Sequence, residues 1–115
     1  SFNTAAGNHI HKDWEETYKI MCNDISKLKF DIALLGCGGY GHPLCNYIYT
    51  ELNKSAIYIG GGLQLLFGVK GKRWEGGESE IQDIFKKNNT LSRMIRPSKN
   101  EILKNNTNIE GGCYW

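Results

Sequence analysis

An α/β domain with a parallel sheet and flanking helices is what this sequence predicts, and three observations carry the prediction. Phe30-Asp31-Ile32-Ala33-Leu34-Leu35 is a short apolar run without polar alternation, the pattern of a strand buried on both faces of a parallel sheet. Gly36-Cys37-Gly38-Gly39-Tyr40-Gly41 follows at once, and Pro43 stands where a first helical turn tolerates a missing N–H. Leu44, Tyr47, Ile48 and Leu52 then recur at helical spacing until Asn53 and Lys54, after which Ser55-Ala56-Ile57-Tyr58-Ile59 reads as a second strand. Strand, glycine turn, helix, strand is a βαβ unit, with a right-handed crossover expected.

The remaining elements follow from the same rules. Asp13 with Glu16 forms a capping box, and Trp14, Tyr18, Met21, Ile25 and Leu28 make one apolar stripe on a helix running to about Lys27. Gly60-Gly61-Gly62 ends the second strand, and Leu63, Leu65, Leu66 and Phe67 form one or two apolar helical turns. Gly68 and Gly71 break that segment, leaving Lys70, Lys72, Arg73 and Trp74 as a basic loop with an aromatic tip, whose Trp74 is expected to pack. Glu78 to Lys87 reads as an amphipathic helix with Ile81, Ile84 and Phe85 inward, Arg93 to Pro97 as a short extended piece, and Pro97 to Asn108 as loop. Glu110-Gly111-Gly112-Cys113-Tyr114-Trp115 ends in two aromatics and is expected to dock on the body.

Composition narrows the function classes. With 115 residues, 40% of them hydrophobic, and a net charge of +2, the chain is an ordinary single globular domain, residues 1–115. No dense basic block exists to bind nucleic acid. No apolar stretch reaches the roughly 20 residues of a membrane span, and no signal peptide is visible from Ser1 to Asn8. Cys22, Cys37, Cys45 and Cys113 lack metal-ligand spacing and read as small buried thiols in a reducing cytoplasm. His9 and His11 have no third ligand nearby and read as polar lead-in rather than a metal pair. The chain opens at Ser1 and reaches its first clear strand only at residue 30, so further N-terminal sequence is expected.

The glycine loops carry the chemistry. Gly36-x-Gly38-x-x-Gly41 between a strand and a helix lets the chain turn sharply and lets a ligand approach the backbone. The helix start then offers unpaired N–H groups to an anion, so Gly36, Gly38, Gly39, Tyr40 and Gly41 are the first half of a phosphate site. Gly60, Gly61 and Gly62 at the end of the neighbouring strand are the second half, with Lys70, Lys72 and Arg73 as candidate partners of a pyrophosphate. The plain alternative is a tight β–α turn and solvated surface charges. The acid that a dinucleotide site places at the end of the second strand is missing from Tyr58-Ile59-Gly60-Gly61-Gly62, which disfavours NAD or FAD, and no Walker loop exists. His42 has no identifiable partner carboxylate and reads as a helix-start residue; Cys37, near a helix N-terminus that would lower its pKa, reads as filler.

Those residues, with Pro43-Leu44, Ile59-Gly60-Gly61, Gln64-Leu65-Leu66-Phe67-Gly68, Lys70-Gly71-Lys72-Arg73-Trp74, Arg96-Pro97 and the closing Glu110 to Trp115, resemble a family of bacterial and viral proteins similar to the GT-D glycosyltransferase fold. The likeness spans Trp14 to Trp115. It implies a Rossmann-like sheet forming the C-terminal part of a longer protein, a nucleotide-sugar donor in surface-polysaccharide synthesis, and a role for a divalent metal. The acidic DxE-type motif of GT-D enzymes has no counterpart here, and His42 replaces the family's usual leucine. A glycosyltransferase domain is thus the leading reading. The alternatives are a non-catalytic nucleotide- or partner-binding module and an NAD(P)-dependent oxidoreductase. Two strands make a thin sheet, so a missing N-terminal region or a second copy is expected to complete it.

Overall fold

The structure, a computed structural model, describes residues 5–76 and 80–115, apart from the side chains of Ala5 and Ile81. The expectations for Ser1 to Thr4, Glu78 and the Ile81 side chain fall outside those residues. The chain forms two compact units, one of residues 11–63 and one built on residues 64–115 with the short lead-in before residue 11. Both helices and strands are present, the strands as a two-stranded parallel sheet with helices beside it.

In the N-terminal unit, helix α1 (Trp14–Ser26) begins as its capping chemistry requires. Asp13 is extended, its side chain accepts from the Glu16 amide at 2.8 Å, and the Glu16 carboxylate accepts from the Lys12 amide at 2.7 Å. Its apolar stripe is covered only in the middle. Thr17 and Cys22 are buried and Tyr18, Met21 and Ile25 half-buried, whereas Trp14 and Leu28 at the two ends stay exposed. Thr17 is satisfied by the Asp13 carbonyl at 3.1 Å and by the His11 ring at 2.9 Å.

Strand β1 (Ile32–Leu35) pairs in parallel with β2 (Ser55–Tyr58), Ile32 opposite Ser55 and Leu35 opposite Tyr58. Between them runs helix α2 (Gly41–Thr50), which buries Gly41, Leu44 and Ile48 along one face. Alternation along the strands puts Ala33, Leu35, Ala56 and Tyr58 on one side of the sheet. That is the side α2 packs on, through Gly41 against the Tyr58 ring, with the alanines leaving room for the helix.

The opposite side corrects the expectation of a strand buried on both faces. Ile32, Leu34 and Ile57 share that face and are 58%, 45% and 51% exposed. An apolar run reports what a strand would gain by burial; it does not supply the second layer that achieves it.

In the C-terminal unit, Leu65 of the single-turn helix α3 (Leu63–Leu66), Trp74 and Met94 form a buried cluster, with Phe85 and Leu91 packed against it. Helix α4 (Glu80–Lys87) supplies Phe85, but Ile84, expected inward, is 58% exposed. The cluster needs only one narrow stripe of so short a helix. The extended piece expected over residues 93–97 begins only at Met94, because Arg93 closes a 3₁₀ turn with Leu91 and Ser92; Ile95 then bridges Val69 in parallel, donating to the Gly68 carbonyl and accepting from the Lys70 amide, each at 2.9 Å.

The closing segment docks within the same unit, as its aromatics predicted. Lys72 and Arg73 amides donate to the Trp115 and Cys113 carbonyls at 3.2 and 3.0 Å, and the Gln64 amide group donates to the Tyr114 carbonyl at 3.1 Å. All four cysteines are free thiols, with Cys22 buried and the other three half-buried.

Candidate functional site: two glycine turns at one sheet edge

Parallel strands bring both of their carboxyl ends to one edge, and here each runs directly into glycines. After β1 the chain makes a 3₁₀ turn at Gly38–Tyr40 that passes straight into α2; after β2 it makes another at Gly60–Gly62. The ladder continues one step beyond the strands, through the Ile59 amide to the Leu35 carbonyl at 2.9 Å.

Each glycine of the GxGxxG motif has its own reason. A side-chain carbon on Gly36 would fall 2.7 Å from the Gly60 carbonyl oxygen and 2.9 Å from Leu63, so the two turns touch there. Gly38 and Gly60 have φ of +56° and +65°, the left-handed region that side chains disfavour. Gly41 lies against the Tyr58 ring, leaving no space for a side chain. All four of these demands come from the fold itself, with no ligand involved.

The amides divide into two groups. Tyr40 donates to the Cys37 carbonyl at 3.3 Å and Gly41 to the Gly38 carbonyl, so both are occupied by the chain. Gly38 and Gly39 open the turn and have no intrahelical acceptor. Both residues are exposed, and nothing lies within 4 Å of where a side chain on either would begin. Of the five residues expected in the first loop, Gly38 and Gly39 are therefore the ones able to bind an anion through their amides, and Gly36 and Gly41 position them.

Neighbouring side chains are engaged structurally. His42 packs on Tyr58 with ring centroids 4.9 Å apart. The Tyr18 hydroxyl, reaching across from α1, donates to the Pro43 carbonyl at 3.2 Å. Burial, helped by a bond with Cys22, pushes its pKa up to about 12. For Cys37 the expected helix-start effect loses to burial, which raises the thiol above its ordinary value with Cys45 adding to the shift. A reactive thiolate is disfavoured there, in keeping with a filler role.

The expected cations belong to the C-terminal unit and find partners in it. Lys70 pairs with Glu75 at 3.6 Å. Arg73 pairs with Glu110 and lies over the Tyr114 ring, 4.6 Å from its centroid, while donating to the Tyr114 hydroxyl at 3.2 Å. Lys72 contributes its backbone amide to the docked segment. Sequence reasoning missed Glu75 and Glu110 as the charge partners. The signal was the opposite sign of their side chains, but nothing local tied Glu110 to Arg73. Trp74 is 7% exposed and packs, as expected.

Among the described residues no group of three or more His, Cys, Asp or Glu side chains is disposed to hold a metal ion. These residues do not fit a protein-held metal. No helix is long and apolar enough to cross a membrane among the described residues. No family model, curated protein or solved structure matches the chain.

Proposed function

We propose that the turn at Gly38 and Gly39, with the Gly60–Gly62 turn beside it, takes the diphosphate of a nucleotide sugar, in a Rossmann-like domain that is the C-terminal part of a GT-D-like glycosyltransferase. The reading extends to surface-glycan synthesis in the cytoplasm, where the donor sugar nucleotide is the substrate. The observation that supports it is the pair of exposed glycines that open the turn at the carboxyl edge of the sheet, their amides without an acceptor inside the turn, ahead of a ten-residue helix. It rests on the N-terminal unit alone.

Magnitudes bound the claim. Two charge-assisted amide bonds contribute about 1.5–3 kcal/mol each, and the helix end about 0.3–1 kcal/mol more. That sum corresponds at best to a dissociation constant of roughly 10 µM, so the nucleoside and sugar must add contacts of their own for tighter binding.

At about a hundred times its dissociation constant, UDP-glucose or GDP-mannose is expected to stabilise the protein by about 2.7 kcal/mol, raising the midpoint by roughly 10 °C. Gly39→Val is the clean control. Gly39 has open space and no positive φ, so the variant should keep its unliganded midpoint and lose the ligand shift. Stabilisation by NAD but by no sugar nucleotide sinks the proposal. No shift with any of them favours the second reading, a non-catalytic partner-binding module, to which the open face of Ile32, Leu34 and Ile57 lends support.

A further inference from the structure

The C-terminal unit holds a cavity of about 410 Å³, lined among others by Lys70, Trp74, Lys86, Asn89 and Leu91. That size falls within the range of about 300–1,000 Å³ typical of small-molecule sites. Burial grades it from floor to rim: Trp74 is buried, Leu91 half-buried, and Lys86 and Asn89 exposed.

Its charged side chains are two lysines, Lys70 and Lys86, against one carboxylate, Glu75. Lys70 is largely covered, its side chain only 20% exposed, yet its ion pair with Glu75 is long. The partner carboxylate of Glu75, also in the lining, is shared with Arg96 at 3.3 Å. Ser92, a further lining residue, donates to the Asn89 side-chain oxygen at 2.8 Å, which leaves the Asn89 NH₂ group as a donor. The Trp74 ring N–H is buried and has no acceptor among the described residues. Two ammonium groups and an amide NH₂ thus share the lining with one carboxylate, which Lys70 and Arg96 already engage.

We infer that this cavity binds the anionic group of a small molecule with an apolar body, the phosphate or carboxylate held by Lys70, Lys86 and Asn89 and the body resting on Trp74 and Leu91. All of its lining residues belong to the C-terminal unit, so the inference does not depend on the nucleotide reading.

The test is a titration of the ¹⁵N-labelled full chain with phenyl phosphate and, separately, with benzoate, followed by NMR. The Trp74 indole N–H peak, assigned with Trp74→Phe, should move saturably. Lys86→Gln, a change at an exposed position, should weaken binding tenfold or more while leaving the rest of the spectrum unchanged. Saturation by benzoate rather than phenyl phosphate supports the site and assigns it to carboxylates. An indole peak that stays put, or a dissociation constant unchanged by Lys86→Gln, overturns the inference. Shifts confined to residues 36–42 overturn it too, and leave the nucleotide proposal standing.

Discussion

Trp74→Ala is expected to destabilise the protein by about 3–5 kcal/mol, lowering its urea midpoint by roughly 2 M. Trp74 is 7% exposed and fills the centre of the small cluster it shares with Leu65 and Met94, against which Phe85 and Leu91 pack. A core of so few side chains cannot close over the lost ring, so the cavity cost adds to the lost burial. The loss is a large part of the stability of a domain this size. Trp74→Phe separates shape from polarity. It keeps most of the ring and removes the buried N–H that lacks an acceptor among the described residues, so its cost should stay below about 1.5 kcal/mol. An alanine variant that loses less than about 1 kcal/mol would mean that the cluster is not the core of this unit.

Gly71→Ala should cost about 3 kcal/mol and release the closing segment. The backbone at Gly71 is extended, with φ −102° and ψ 179°, so conformation does not demand glycine there. Space does. A methyl group would fall 2.5 Å from the Cys113 carbonyl oxygen and 2.6 Å from that of Tyr114, and backbone atoms held in hydrogen bonds cannot swing aside as a side-chain tip can. Relief comes only by moving residues 113–115 away. That movement breaks the bonds from the Lys72 and Arg73 amides and from Gln64, worth about 1 kcal/mol apiece. Hydrogen exchange reads the outcome: the Lys72 and Arg73 amides should lose protection in the variant while amides of α2 keep theirs. Unchanged protection at both would show that the contact yields more cheaply than its geometry indicates.

What could be read beforehand was local chemistry. Asp13 and Glu16 announce a helix start because their bonds are made within one turn, and they are made as expected. The order β1, glycine turn, α2, β2 followed from punctuation by Gly36, Pro43 and Asn53, and the parallel pairing of Ile32 with Ser55 agrees with it. What could not be read depends on residues far apart in the chain. The apolar character of Ile32, Leu34 and Ile57 is the same whether or not a second layer covers them, and here their face is open. Nothing near Arg73 signals that Glu110 and Tyr114 engage it, or that Gly71 is glycine because Cys113 and Tyr114 press on it. The candidate site was legible in its glycines but not in its division of labour. Only the folded turn separates Gly36 and Gly41, needed for packing, from Gly38 and Gly39, which are exposed and have no amide acceptor inside the turn.

That division makes the decisive measurement specific. In an NMR titration with UDP-glucose, the amide protons of Gly38 and Gly39 should move downfield and saturate together as they donate to phosphate oxygens, and Gly39→Val should abolish the response. Amides at 38 and 39 that stay unmoved at saturating ligand, or a response centred elsewhere in the chain, would contradict the account.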